Sequence, residues 1–178
     1  MIFNKQKLEG VFVIEAQSNK DERGLFRRHF CENELKTNGI DFSVKQGNIS
    51  ENKSKHTLRG FHYQIVPSKE SKIISCIAGS IFNVLIDLRP KSSTFMQWQE
   101  FNFSSEGRES LYIPVGCANA FLTLEDNTWV HYYMNDFFKT DSLGFRYNDP
   151  SFNINWPVTP QHMSDKDRNY VDLNVTAL

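Results

Sequence analysis

Cysteine is scarce in this chain of 178 residues, with only Cys31, Cys76 and Cys117. Three scattered thiols form neither a C-x-x-C pair nor a disulfide framework, so a reducing cytoplasm is the natural setting. Glycine, at 9, and proline, at 6, are too few for collagen-like or linker sequence. Charge of one sign is lacking as well. Twenty Lys plus Arg against 21 Asp plus Glu leave a net charge of −1, which argues against bulk attraction to nucleic acid or to an anionic membrane. No stretch approaches the roughly 18 apolar residues of a membrane span. The opening MIFNKQKLEG carries no apolar signal-peptide core.

Aromatic residues, by contrast, are abundant at 13%, with Phe alone counted 15 times. That argues against disorder and for a dense β-rich core. The length suits one domain over 1–178, able to bury about 70% of the surface its unfolded chain exposes. Short apolar runs separated by turn residues recur through the middle of the sequence. Residues 10–14 read as a first strand, and 72–77 and 81–87, joined at Ala78-Gly79-Ser80, read as a hairpin. Further strands are expected over 98–103, 110–113, 120–124 and 128–134, the last with Trp129, His131 and Tyr133 alternating against Val130, Tyr132 and Met134. Helix is expected only at 32–39, ended by Gly39, and at 165–168 behind Ser164 as N-cap. Many short strands with few helices predict an all-β sandwich or barrel, jelly rolls included. The tail from Asp149, with three prolines and Trp156, reads as an extension wrapped on the barrel.

Several chemistries have no motif here. G-x-S-x-G is absent, as are the two glycine patterns that cradle phosphates. The histidines at 29, 56, 62, 131 and 162 form no H-x-H or H-E-x-x-H, so neither a metal nor another cofactor is expected. The informative segment is Leu58-Arg59-Gly60-Phe61-His62-Tyr63-Gln64. A histidine in an apolar strand, taken alone, is more often a hydrogen-bonded core residue than a catalyst. Two other segments change that weighting: the P-x-G turn of Pro114-Val115-Gly116 running into Cys117-Ala118-Asn119-Ala120-Phe121, and Trp156-Pro157 followed by Ser164-Asp165-Lys166-Asp167.

Taken in order with Asp21-Glu22-Arg23-Gly24-Leu25-Phe26, Gln46-Gly47-Asn48 and Lys72, these segments resemble the dTDP-4-dehydrorhamnose 3,5-epimerase family. The resemblance implies a cupin-like jelly roll that inverts carbons beside the ketone of a nucleotide-linked 4-keto sugar. By the same resemblance His62 is the base, Asp167 its carboxylate partner, Lys72 the cation beside the enolate and Tyr132 the acid on the opposite face. Arg59 would hold the diphosphate. Arg23, Gln46 and Asn48 match sugar- or phosphate-contacting positions, and Phe26 an aromatic at the nucleotide end. A homodimer is implied, with the N-terminal segment reaching the neighbouring subunit's site.

Three positions depart from the family pattern. Asn119 stands where a histidine is usual, and asparagine donates a hydrogen bond without carrying a titrating proton. Phe138 replaces a tyrosine near the nucleotide. Arg28 replaces a glutamate that recognises thymine, and its guanidinium matches the O6/N7 edge of guanine, which points to GDP rather than dTDP. Related enzymes act on C3 and C5 or on C3 alone, some of them on GDP-linked 4-keto-heptoses destined for capsule or surface polysaccharide. Tyr132 favours inversion at both carbons. A 3,4-ketoisomerase and a catalytically silent sugar-binding cupin are the rival readings.

Overall fold

The structure is a computed structural model that describes residues 1–64, 67–137 and 142–178. It is nearly all β, and its main strands form two antiparallel sheets. The first runs, edge to edge, through β1 (Ile2–Lys5), β2 (Phe12–Glu15), β10 (Glu109–Ile113), β7 (Lys72–Ala78), β12 (Thr128–Met134) and β5 (Gln46–Asn52). The second runs through β13 (Leu143–Gly144), β6 (Leu58–Tyr63), β11 (Cys117–Thr123), β8 (Ser80–Asp87) and β9 (Trp98–Ser104). A separate hairpin joins β3 (Ser18–Asp21) to β4 (Gly24–Arg27).

The two sheets face each other across a shared core. Ile74, Cys76, Leu111, Ile113 and Val130 come from the first, and Ile81, Leu85, Phe101, Phe103, Cys117 and Phe121 from the second. This is the jelly-roll arrangement expected above. Alternate residues of the second sheet point the other way, where Leu58, Phe61, Val84, Ile86, Ala118, Ala120 and Leu122 meet Phe145, Phe152, Trp156 and Leu173 of the C-terminal segment. Strands covered on both faces need apolar residues at nearly every position, which is why β8 and β11 read as unbroken apolar runs rather than alternating ones. On the outer face of the first sheet Ile14 and Ile73 pack under Leu35 of α1 (Glu32–Thr37), with Ile40 and Phe42.

One expectation fails here. The strands β7 and β8 do not form a hairpin: β7 pairs with β10 and β12, whereas β8 pairs with β9 and β11 in the opposite sheet. Gly79 makes the crossing at φ +72°, and a Cβ placed there would meet the Thr128 hydroxyl at 2.4 Å. The turn residue was read correctly, but both strands are buried on both faces, so no alternation separates a turn within a sheet from one between sheets. The strand expected at 10–14 starts at Phe12 and is second in order, because β1 precedes it and pairs with it.

The C-terminal segment is core. Phe145 is fully buried and stacks on Phe61 with ring centres 4.8 Å apart. Replacement Phe145→Ala should cost about 3–5 kcal/mol of unfolding free energy. Phe26→Ala, at a ring 74% exposed, should cost almost nothing, and urea unfolding of the two variants measures the contrast.

Candidate active site

The two sheets part at one end of the shared core and enclose a cavity of about 230 Å³. Arg59, His62, Asn119 and Phe121 line it from the second sheet, and Asn48, Ser50, Lys72, Tyr132 and Met134 from the first. Ligand pockets for drug-sized molecules usually run ~300–1,000 Å³, so this space suits one sugar ring, with anything larger left at its mouth.

The wall nearest β6 depends on a close approach. Gly60 sits at φ +117°, and a Cβ there would lie 2.5 Å from the Asn119 carbonyl oxygen and 2.7 Å from Ala120 Cα. A bare α-carbon therefore lets β6 press onto β11, which brings His62 into register with Asn119. His62 Nε2 lies 2.6 Å from Asp167 Oδ1. Asp167 belongs to α2 (Asp165–Arg168), whose first turn is capped by Ser164 as expected: the Asp167 amide donates to the serine Oγ at 3.0 Å. Burial works to raise the Asp167 pKa, but hydrogen bonds from His62, Ser164 and the Gly60 backbone, with the charge of His62, bring it below the usual carboxylate value. An ionised carboxylate only accepts, so Nε2 carries a proton and donates it to Asp167 Oδ1. The Tyr170 ring stands edge-on to the imidazole, with centres 6.2 Å apart.

The opposing wall supplies a cation and a phenol. Lys72 Nζ is 3.0 Å from Glu70 Oε1, a buried carboxylate two residues earlier. Tyr132 lies on β12 between β5 and β7, and burial raises its pKa well above the ordinary phenol value, with Arg59 opposing. The phenol therefore keeps its proton at neutral pH. Arg59 Nε donates to Asn52 Oδ1 at 2.8 Å, and Asn48 Nδ2 donates to the Met134 sulfur at 3.1 Å.

Seven of the residues singled out in the sequence thus assemble here: His62, Asp167, Lys72, Tyr132, Arg59, Asn48 and Asn119. Gln46 lies on β5 opposite Met134 and is not part of the cavity wall. Arg23, Phe26 and Arg28 belong to the β3–β4 hairpin and its exit, and do not line the cavity. Arg23 pairs with Asp21 at 2.6 Å, and Arg28 Nη1 donates to Glu34 Oε1 at 2.8 Å. Phe138 lies outside the described residues. Sequence reading missed Ser50, Phe121, Met134, Glu70 and Asn52. Three of these had a period-2 signal, since Asn48, Ser50 and Asn52 alternate along β5 and Glu70 stands two residues before Lys72.

The Asp167 pair makes a pH-dependent contribution to stability. With its folded pKa depressed, that contribution is full above the unfolded carboxylate pKa, near 3.9, and is lost as pH falls through the lower folded value. The unfolding free energies of wild type and Asp167→Asn should differ at pH 7 and converge only once the pH has fallen below the depressed folded value; denaturant titrations from pH 7 down through that acid range measure this.

Comparison with known proteins agrees with this geometry. A family model for dTDP-4-dehydrorhamnose 3,5-epimerase matches residues 5–174. The dTDP-4-dehydrorhamnose 3,5-epimerase of Shigella flexneri is 36% identical over 93% of this chain and 92% of its own length. The crystal structure of the Bacillus anthracis enzyme of that name, with TDP and PPi bound, is 33% identical, covers 97% of this chain and 99% of that one, and superposes with a TM-score of 0.93. A 3'-monoepimerase from Streptomyces bikiniensis, in complex with dTDP-quinovose, is 28% identical with a TM-score of 0.87, over 97% of this chain and 88% of that one. On the match across nearly its whole length, the chain belongs to the dTDP-4-dehydrorhamnose 3,5-epimerase family and is an epimerase.

Proposed function

We propose that the chain inverts C3 and C5 of a nucleotide-diphosphate-linked 4-keto sugar, with His62 as base and Tyr132 as acid. The observation that carries this reading is the arrival of an imidazole and a protonated phenol from opposing sheets onto one cavity. A ketone at C4 acidifies the hydrogens on its neighbours, because the carbanion delocalises onto oxygen. Nδ1 of His62 takes the proton, the C–H electron pair moves toward the carbonyl, and the oxygen becomes an enolate beside the Lys72 ammonium. Tyr132 then gives its proton to the carbon from the other face. Solvent reprotonates the phenol and takes the proton from the imidazole. No electrons leave the substrate, so the step needs no redox partner.

Arg59 at the cavity rim is the natural seat for the diphosphate. Asn48 on the wall, and Gln46 just beyond it, would contact sugar or phosphate. The hairpin carrying Arg23 and Phe26 stands away from its own cavity and leaves the Phe26 ring 74% exposed, which supports a homodimer in which this segment serves the neighbouring site. Three free thiols support a reducing cytoplasm, and no helix among the described residues is long and apolar enough to cross a membrane.

For the base, the TDP found with the Bacillus anthracis relative favours dTDP. Arg28 favours guanine by its chemistry, and a GDP-linked 4-keto-heptose for surface polysaccharide would follow from it. Its Nη1, however, already donates to Glu34, which accounts for an arginine here without guanine. dTDP is the reading adopted. Equilibrium competition should show dTDP binding more tightly than GDP; tighter GDP would make Arg28 the base reader.

Incubation with a dTDP-linked 4-keto-6-deoxy sugar in heavy water should place deuterium at both C3 and C5. Label at C3 alone would make the chain a single-centre epimerase, as in the Streptomyces bikiniensis relative. No label with either dTDP- or GDP-linked sugar overturns the substrate assignment. His62→Ala should slow exchange about 10²–10⁴-fold. Tyr132→Phe should slow net inversion more than exchange, since removal of the proton by His62 remains.

A further inference from the structure

Tyr170 stands beside His62, and the reaction as described makes no use of it. It lies two residues past α2, is half-buried, and is not part of the cavity wall. Its place is made by β13. Gly144 pairs in register with His62, and residues paired across two strands share a face. A Cβ on Gly144 would run into Cζ and Cε2 of the Tyr170 ring and come within 2.6 Å of the Phe61 carbonyl oxygen. The ring thus fills the space that a side chain at 144 would take, next to the imidazole. Its plane stands at 67° to that of His62 with centres 6.2 Å apart, an edge-to-face contact. The Lys166 ammonium lies 5.9 Å from the centre of the same ring and donates to the Ser142 carbonyl at 3.2 Å, which ties α2 to the start of β13. The Tyr170 hydroxyl is buried and meets no donor or acceptor among the described residues. Shape, not a hydrogen bond, seats this side chain.

Asp167 holds His62 by one nitrogen only. The second side-chain torsion of histidine has a broad energy well, so a bond at Nε2 leaves the imidazole plane free to tilt. A tilt about that torsion moves Nδ1 further than Nε2, because Nδ1 lies further from the axis. The hydrogen bond to Asp167 thus survives motions that carry the reacting nitrogen off line. A ring packed against the imidazole removes that freedom. We propose that Tyr170 is a positioning residue that fixes the plane of the His62 imidazole, with Gly144 as the gap that admits its ring. The proposal rests on the 4-keto epimerase reading above, in which His62 is the base. The aromatic ring carries the role and the hydroxyl does not, which separates Tyr170 from Tyr132. Proton transfer depends steeply on alignment, and a group locked by packing is already aimed when the substrate arrives.

The test is kcat and KM for deuterium wash-in from heavy water, with wild type, Tyr170→Phe and Tyr170→Ala each held well below its thermal midpoint. Tyr170→Ala should lower kcat roughly 10–100-fold with KM within about threefold, since the lost alignment acts on the transition state and not on binding. Tyr170→Phe keeps the ring and removes the unmet hydroxyl, so its kcat should stay within about twofold of wild type and its thermal midpoint should not fall. A merely structural role for Tyr170 would lower the midpoint and leave kcat per folded molecule at the wild-type value in Tyr170→Ala, and that result overturns the proposal. Equal losses in Tyr170→Phe and Tyr170→Ala overturn it too, because the hydroxyl would then be the active part. Should Tyr170→Ala fail to fold, Tyr170→Leu decides, because it keeps apolar bulk and loses the flat ring. A fall in its kcat with KM held supports the positioning role, and wild-type kcat overturns it. Failure of the wild type itself to exchange any 4-keto sugar is a different result, and it removes the epimerase reading along with this one.

Discussion

Polar groups placed between two apolar sheets must be answered by partners, and the cavity of this protein is built around that constraint. A charge taken out of water without a partner costs more than a folded domain can spare. His62 is backed by Asp167 at 2.6 Å, Lys72 by Glu70 at 3.0 Å and Arg59 by Asn52 at 2.8 Å. Asn119 lies beside Asn83, a fully buried amide on β8. The three partners are themselves buried: Asp167, Glu70 and Asn52 are all less exposed than the groups they hold. Each side chain they hold therefore has a fixed donor or acceptor behind it and one free end in front.

The same constraint explains the reach of the C-terminal segment. Asp167 is supplied by α2, which belongs to the C-terminal segment whose Phe145, Phe152, Trp156 and Leu173 cover the outer face of the second sheet. Packing on one side of β6 thus places a carboxylate against a histidine on the other. His62, the proposed base, is oriented by a residue 105 positions away in sequence. Tyr132 needs no such support. A neutral phenol tolerates burial, and burial raises its pKa, the direction that the proposed acid role would need.

How far this was legible in the sequence divides along physical lines. Strand positions were readable because apolar runs bounded by turn residues survive any arrangement of sheets. The pairing of β7 with β12 rather than β8 was not, since it is decided by long-range contacts that leave no local pattern when both faces are covered. His62, Asp167, Lys72 and Tyr132 were found only through the ordered family segments; Asp167 by itself looks like one more carboxylate in a charged tail. The backing residues Glu70 and Asn52 were missed, because a spacing of two from Lys72 or Ser50 does not show which side chain a buried polar group will meet. Arg28 shows the reverse difficulty. Its charge suggested a base reader, while the structure gives it Glu34 as a partner within its own chain.

Formal charge around the cavity also orients what binds there. Lys72 and Glu70 cancel, and Asp167 is matched by the imidazole whenever that ring is protonated. Arg59 differs, because its partner Asn52 is neutral and no carboxylate among the described residues pairs with it. A chain with a net charge of −1 thus keeps an uncompensated guanidinium at the cavity rim, where the proposed diphosphate would gain most from it. An anion anchored at Arg59, as proposed, would send the attached sugar toward His62, Lys72 and Asn119, in a cavity of about 230 Å³ with room for little more than the ring. The nucleoside would then lie outside that wall, toward the surface that a second copy's hairpin would bring in the proposed dimer. On this argument the chemistry belongs to residues of one subunit, while choice of base belongs to the edge where two subunits would meet.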